Sequence, residues 1–224
     1  MGLQSIVERM AQAARRSHGN PQDITLVAVT KTVSFERIRP ILEAGIVNVG
    51  ENRVQEAIEK YGAETDFVKN YPTVKRHLIG YLQSNKAKKT IQTFDMIQSL
   101  DRIAIAQDLN RHAEALGKTM PCLVEVKISE EENKTGLPVK ELFSFLDQRA
   151  QWPALNIMGL MGVAPAMPTA EEVRPYFARL RALFEKTKLS ILSMGMSHDF
   201  EVAIEEGSTM IRVGSALFGE RRKI

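Results

Sequence analysis

The sequence predicts a (β/α)8 barrel with an extra N-terminal helix, and three observations carry that prediction. Short apolar, β-rich runs alternate with longer amphipathic ones about eight times along the 224 residues, the number such a barrel needs. Several of the short runs, Leu26-Val27-Ala28-Val29 most clearly, are apolar almost continuously, as strands covered on both faces are. No low-complexity linker or composition break divides the chain, so residues 1–224 read as one barrel domain, with 1–20 as a leading helix and its connection. A doubly wound sheet is the alternative, but at this length it normally has fewer strands.

The elements follow in order. A helix is expected over 3–16, then strands over 24–31, 46–51, 76–80, 96–100, 122–128, 157–163, 189–194 and 210–213. Between strands four and five, Ile103, Ala106, Leu109, Ala113 and Leu116 share one helical face that begins after Asp101 and stops at Gly117. Val173, Phe177, Leu180 and Phe184 form a second stripe, and Thr169 with Glu172 has the spacing of a capping box before it. Gly45, Gly62 and Gly207 stand where other helices end and are expected to take the left-handed C-terminal conformation. Pro40 and Pro175 fall in or near the starts of predicted helices, where a proline shifts the boundary.

Composition narrows the function classes. A chain that is 44% hydrophobic and 25% charged buries a real core, which excludes long disorder and a collagen-like repeat. The single cysteine, Cys122, lies in the apolar run Pro121-Cys122-Leu123-Val124 and reads as a buried, reduced thiol. No apolar run approaches the roughly 18 residues of a membrane helix. Glu8 and Arg9 interrupt any signal-peptide core, and Ile6 breaks the myristoylation pattern begun by Gly2. A cytoplasmic protein without a membrane partner, or one whose targeting signal lies outside this sequence, is therefore expected. A net charge of +3 is too small to argue for nucleic acid, and the clusters Lys86, Lys88, Lys89 and Arg221, Arg222, Lys223 read as solvated faces.

In a barrel of this type the active face lies at the C-terminal ends of the strands. Those ends carry Lys31, Glu51 and Asn52, the segment His77 to Gly80, Ser99 and Asp101, Lys127, Met161 and Gly162, Gly195-Met196-Ser197, and Arg212-Val213-Gly214-Ser215. Polar, charged and glycine residues thus gather on one rim. Lys31 leaves an apolar stave, where partial burial makes an amine available for carbonyl attack; a surface lysine capping a strand is the competing reading. The small residues after strands seven and eight let backbone N–H groups approach an anion, in the part of the barrel where phosphate sites are often built. Their alternative is a pair of tight turns. Arg212, two residues before Gly214, is expected inside the barrel with a carboxylate or a ligand atom as partner. His77 reads equally as a satisfied strand histidine or a site residue. No Gly-x-Ser-x-Gly elbow, metal-ligand spacing of His18, His77, His112 and His198, dinucleotide fingerprint or P-loop is present.

Longer motifs stand in fixed order through nearly the whole chain: Val27-Ala28-Val29-Thr30-Lys31, Gly50-Glu51-Asn52-Arg53-Val54-Gln55-Glu56, His77-Leu78-Ile79-Gly80, and Leu82-Gln83-Ser84-Asn85-Lys86. Ser99-Leu100-Asp101, Gly159-Leu160-Met161, Leu192-Ser193-Met194-Gly195-Met196-Ser197 and Arg212-Val213-Gly214-Ser215-Ala216-Leu217-Phe218-Gly219 complete the set. Together they resemble the pyridoxal phosphate homeostasis proteins, whose barrel is similar to the N-terminal domain of alanine racemase. The resemblance implies pyridoxal 5′-phosphate (PLP) held as a Schiff base on Lys31. It implies a phosphate on Ser197, Gly214, Ser215 and the Met196 backbone, Arg212 facing the pyridine nitrogen, Asn52 near the ring substituents, and His77 and Met161 lining the pocket. Lys127, where many members have Asn, and Gly162-Val163-Ala164-Pro165 depart from the family pattern and bear on the polarity of the rim.

An arginine beside the ring nitrogen disfavours its protonation and weakens the ring as an electron sink. Racemases of this fold add a second domain with a tyrosine base. This sequence ends at Ile224, and of Tyr61, Tyr71, Tyr81 and Tyr176 only Tyr81 comes near a suitable strand end. The expected function is therefore intracellular PLP homeostasis, a monomer that buffers the cofactor or delivers it to PLP-dependent apo-enzymes, without established catalysis. A weak amino-acid racemase or other PLP enzyme is the alternative. A Schiff-base aldolase and a nucleic-acid module lie further off.

Overall fold

The computed structural model describes residues 2–62, 66–131 and 134–219, so the Arg221, Arg222, Lys223 cluster lies outside the described residues. The strands are β1 (Thr25–Val29), β2 (Asn48–Glu51), β3 (Lys75–Leu78), β4 (Met96–Leu100), β5 (Met120–Lys127), β6 (Leu137–Pro138), β7 (Leu155–Met161), β8 (Ile191–Ser193) and β9 (Met210–Val213). All pairings are parallel. The order β4-β3-β2-β1-β9-β8-β7-β5 returns to β4 through a β4–β5 pairing, which closes an eight-stranded ring and excludes the doubly wound sheet. β6 is a two-residue addition paired outside that ring to β5.

The helices are α1 (Leu3–Arg16), α2 (Phe35–Glu43), α3 (Val54–Tyr61), α4 (Phe67–Asn70), α5 (Ala87–Thr93), α6 (Ile103–Ala115), α7 (Leu142–Asp147), α8 (Arg174–Phe184), α9 (Phe200–Glu205) and α10 (Ser215–Phe218). Their apolar stripes pack on the outer faces of the strands. Ile105, Ala106, Leu109 and Ala113 of α6 are buried with Ile97, Val124 and Leu160 in one large cluster, each full-sized side chain contributing about 1.5–3 kcal/mol. A separate small cluster of Val27, Leu123, Met161 and Met210 fills the inside of the ring. α1 covers the outer side of β1 and β9, where Ile6, Met10, Ala13 and Ala14 meet Phe200, Ile204, Ile211 and Val213.

Local signals were met unevenly. Pro175 sits in the first turn of α8, and Pro40 is accommodated inside the short α2. Gly45 and Gly207 take positive φ, whereas Gly62 has φ −65° and is required for a different reason: a Cβ there would lie 2.4 Å from the Ile58 carbonyl oxygen. Thr169 and Glu172 bond to each other through their side chains at 2.8 Å, not reciprocally to the backbone, because a 3-10 turn at Glu171–Val173 precedes α8.

Candidate functional site

The mouth of the ring at the strand C-termini brings most of the expected residues into one sector. β1 and β9 are neighbours with Ala28 opposite Val213, so the turn holding Lys31 and the turn holding Gly214 leave adjacent staves. A Cβ on Gly214 would touch the Val29 Cβ and carbonyl oxygen at 3.3 Å. Lys31, partly buried, follows two residues after Val29. Asn52 follows β2 on the other side of β1, and Gly80 lets the chain pass it closely: a Cβ there would be 2.5 Å from the Asn52 carbonyl oxygen.

The loops after β8 and β9 interlock through Ser197. Its Oγ accepts from the N–H of Gly214 at 3.1 Å and of Ala216 at 3.2 Å. Two backbone donors therefore converge on one oxygen, with the exposed Ser215 between them. That donor set fits a phosphate oxygen, which can replace a hydroxyl that accepts twice. Ala216 carries no side-chain signal, and sequence reading passes over it because its contribution is a main-chain N–H.

The Met196 backbone is committed differently from expectation. Its N–H donates to Asp199 Oδ1 at 2.6 Å, and its carbonyl accepts from the N–H of Asp199 and of Phe200. Asp199, buried, has its carboxyl pushed up by desolvation. Gly195 allows this fold-back: it has φ +93°, and a Cβ would lie 2.5 Å from that of Ala203. Beside this loop a cavity of about 440 Å³ opens between Val163–Met167, Met196 and His198.

Arg212 lies inside the ring and is 4% exposed. Its partners are neither a carboxylate nor a free lone pair at the mouth. Nη1 donates to Ser193 Oγ at 2.6 Å and Nη2 to the Gly162 carbonyl at 2.9 Å. Burial lowers its pKa to about 10, with Glu125 and Asp199 pulling it back up, so it stays charged at neutral pH.

His77 and Met161 sit inside the ring. Met161 is part of the interior apolar cluster. His77, 2% exposed, has its pKa lowered to about 4 by burial, so the ring is neutral at pH 7. Its Nδ1 accepts from Gln98 Nε2 at 3.0 Å, which leaves Nε2–H to donate to Asn48 Oδ1 at 3.0 Å. Ser193 Oγ in turn donates to Gln98 Oε1 at 2.7 Å. A chain with a single donor direction thus runs Arg212 to Ser193 to Gln98 to His77 to Asn48. Sequence reading gave Ser193 no role beyond its motif and missed Gln98 and Asn48, since each is an ordinary strand residue until the ring closes.

The alanine racemase N-terminal domain family model matches residues 2–222. The pyridoxal phosphate homeostasis protein of Aquifex aeolicus is 38% identical, covering 98% of this chain and 97% of its own length. That of Synechocystis sp. is 41% identical over 90% of this chain and 93% of its own. Among solved structures, PipY of Synechococcus elongatus PCC7942 with PLP bound has a TM-score of 0.83 and 39% identity, covering 96% of this chain and all of that one.

Proposed function

The chain belongs to the pyridoxal phosphate homeostasis protein family, and on that footing we propose that it binds PLP reversibly at the barrel mouth. The observation that carries the reading is that the turn bearing Lys31 and the turn whose Gly214 and Ala216 N–H groups converge leave adjacent staves. When bound, PLP would supply an aldehyde carbon that condenses with a neutral primary amine, the aldehyde oxygen leaving with both amine protons as water. Lys31 is the amine we assign to it, and a Schiff base on it is the proposed resting state. Gly214, Ser215, Ala216 and Ser197 hold the phosphate, and Met196 acts by fixing the loop that presents Ser197. Asn52 lies toward the ring substituents. Arg212, charged and fixed to Ser193 and Gly162, faces the ring nitrogen and disfavours its protonation.

Within this reading the protein buffers PLP and passes it to PLP-dependent apo-enzymes as a cytoplasmic monomer. Of Tyr61 and Tyr81, only Tyr81, exposed beside Asn52 and Gly80, is placed to serve the racemase alternative. Tyr61 is fully buried and donates to Thr30 Oγ1, and the Tyr81 ring lies under the Arg102 guanidinium at 4.6 Å.

Titration with PLP is expected to produce a visible absorbance band. Borohydride reduction followed by peptide mapping is expected to leave a pyridoxyl mass on Lys31, absent in Lys31→Ala. A protein that stays colourless, or carries the mass on another lysine, overturns the assignment. Delivery is tested by mixing the loaded protein with a PLP-dependent apo-enzyme, which is expected to regain activity at least as fast as with equal free PLP. Rapid α-proton exchange on alanine that vanishes in Lys31→Ala would favour the racemase instead.

A further inference from the structure

Lys31 lies between two threonines whose main chains are held from outside the barrel. Past β1 the Thr30 N–H donates to the Gly50 carbonyl, and the chain then turns. Thr32 has φ +61°, a left-handed conformation that costs a β-branched residue on the order of 1–3 kcal/mol and persists only where surroundings enforce it. Its Oγ1 donates back to the Lys31 carbonyl at 2.6 Å.

The enforcing groups sit one turn apart on α3. Glu56 Oε1 accepts the Thr32 N–H. Lys60 Nζ donates to the Thr30 carbonyl at 2.7 Å and is paired with the same Glu56 Oε1 at 2.6 Å. A single ion pair thus grips the peptide groups on both sides of Lys31. Beneath it, Glu51 Oε1 accepts from Lys60 at 3.0 Å and from Thr30 Oγ1 at 2.8 Å, and Tyr61 Oη donates to Thr30 Oγ1 at 2.8 Å. Glu51 is 1% exposed and its Oε2 has no hydrogen-bond partner, a cost of about 1–3 kcal/mol. The cluster, buried at Glu51, Thr30 and Tyr61 and exposed at the Thr32–Glu56 bond, is built around the residues that flank one lysine.

We infer that the Glu56–Lys60 pair, seated on Glu51, is a clamp that sets the Lys31 main chain and aims its amine into the barrel mouth. Glu56 and Lys60 are then positioning residues for imine formation. The inference rests on the PLP reading and deepens it.

The test compares PLP with pyridoxamine 5′-phosphate, which has the same ring and phosphate but an amine in place of the aldehyde and so cannot condense with Lys31. Glu56→Gln and Lys60→Met are each expected to weaken PLP binding roughly tenfold, the size of one lost charge-assisted hydrogen bond. Pyridoxamine 5′-phosphate affinity is expected to stay within about twofold, and Lys60→Arg to recover part of the loss. Thermal melts of the unloaded variants establish that they fold. If Lys60→Met does not, Glu51→Gln/Lys60→Met removes both charges at constant volume, and the same selective loss is expected of it. Unchanged PLP affinity, or equal losses for both ligands, overturns the clamp. Wild-type protein that forms no borohydride-trapped adduct on Lys31 overturns the PLP reading itself, so the two failures are distinguishable.

Discussion

Ser197 and His77 show how single residues divide between presenting a ligand and holding the frame. A phosphate oxygen that takes over the Gly214 and Ala216 N–H groups frees the Ser197 hydroxyl to donate to it, and Ser197→Ala removes that donor. It is expected to weaken PLP binding about tenfold while leaving borohydride trapping on Lys31 intact at saturating PLP. His77 acts on stability. Its ordinary pKa of 6.5 falls to about 4 in the fold, so between those values the unfolded chain takes up a proton that the folded one refuses. Stability contributed by the neutral ring is present above pH 6.5 and lost as pH falls toward 4, by about 3 kcal/mol. Denaturant unfolding at pH 7 and pH 4.5 is expected to show a larger acid loss for wild type than for His77→Gln. Carboxyls such as Glu51 and Glu125, pushed up by burial, act in the opposite direction in both proteins. Lys31 and Gly214 were legible in the sequence because their residue types announce their chemistry. Ala216, which offers only a main-chain N–H, and Lys60, which reaches Glu51 and the Thr30 carbonyl from the next helix, were not.

Two glycines of similar φ separate backbone preference from space. Gly195 and Gly207 stand at +93° and +90°, but a Cβ on the first meets Ala203 at 2.5 Å and the Phe200 Cα at 2.9 Å. On the second the nearest atom is Arg181 Cδ at 3.6 Å. Gly207→Ala is expected to cost about 1 kcal/mol and Gly195→Ala about 3 kcal/mol or more, measured by chemical denaturation. The second variant is also expected to lose PLP, since Gly195 folds the loop that carries Ser197. α1 is coupled to the same loop through α9: Ile6 is fully buried against the cluster that includes Phe200, and Arg9 pairs with Glu201 at 2.7 Å. Ile6→Ala is expected to lower stability by about 2–4 kcal/mol. Periodicity gave each barrel strand to within a few residues, because strands covered on both faces are apolar throughout. The ends of helices were harder, as Gly62 and the Thr169–Glu172 pair show, since they depend on neighbours that the local sequence does not contain.

At the scale of the whole molecule, no helix among the described residues is long and apolar enough to cross a membrane. The alternation of strands and helices foretold a ring, but not what would occupy its interior. Side chains that meet there come from strands far apart in sequence, so Gln98, Ser193 and Asn48 carried no local mark. The Arg212-to-Asn48 chain joins β9, β8, β4, β3 and β2 across the lumen. Arg212 can only donate, and every link from it to Asn48 donates in that one sense. Its one link between strands that are not neighbours, Ser193 on β8 to Gln98 on β4, makes the row a tie-rod across the lumen. β1 is the stave between β2 and β9 that the rod bypasses, so the lysine-bearing wall is braced from the outside while its neighbours are braced from within.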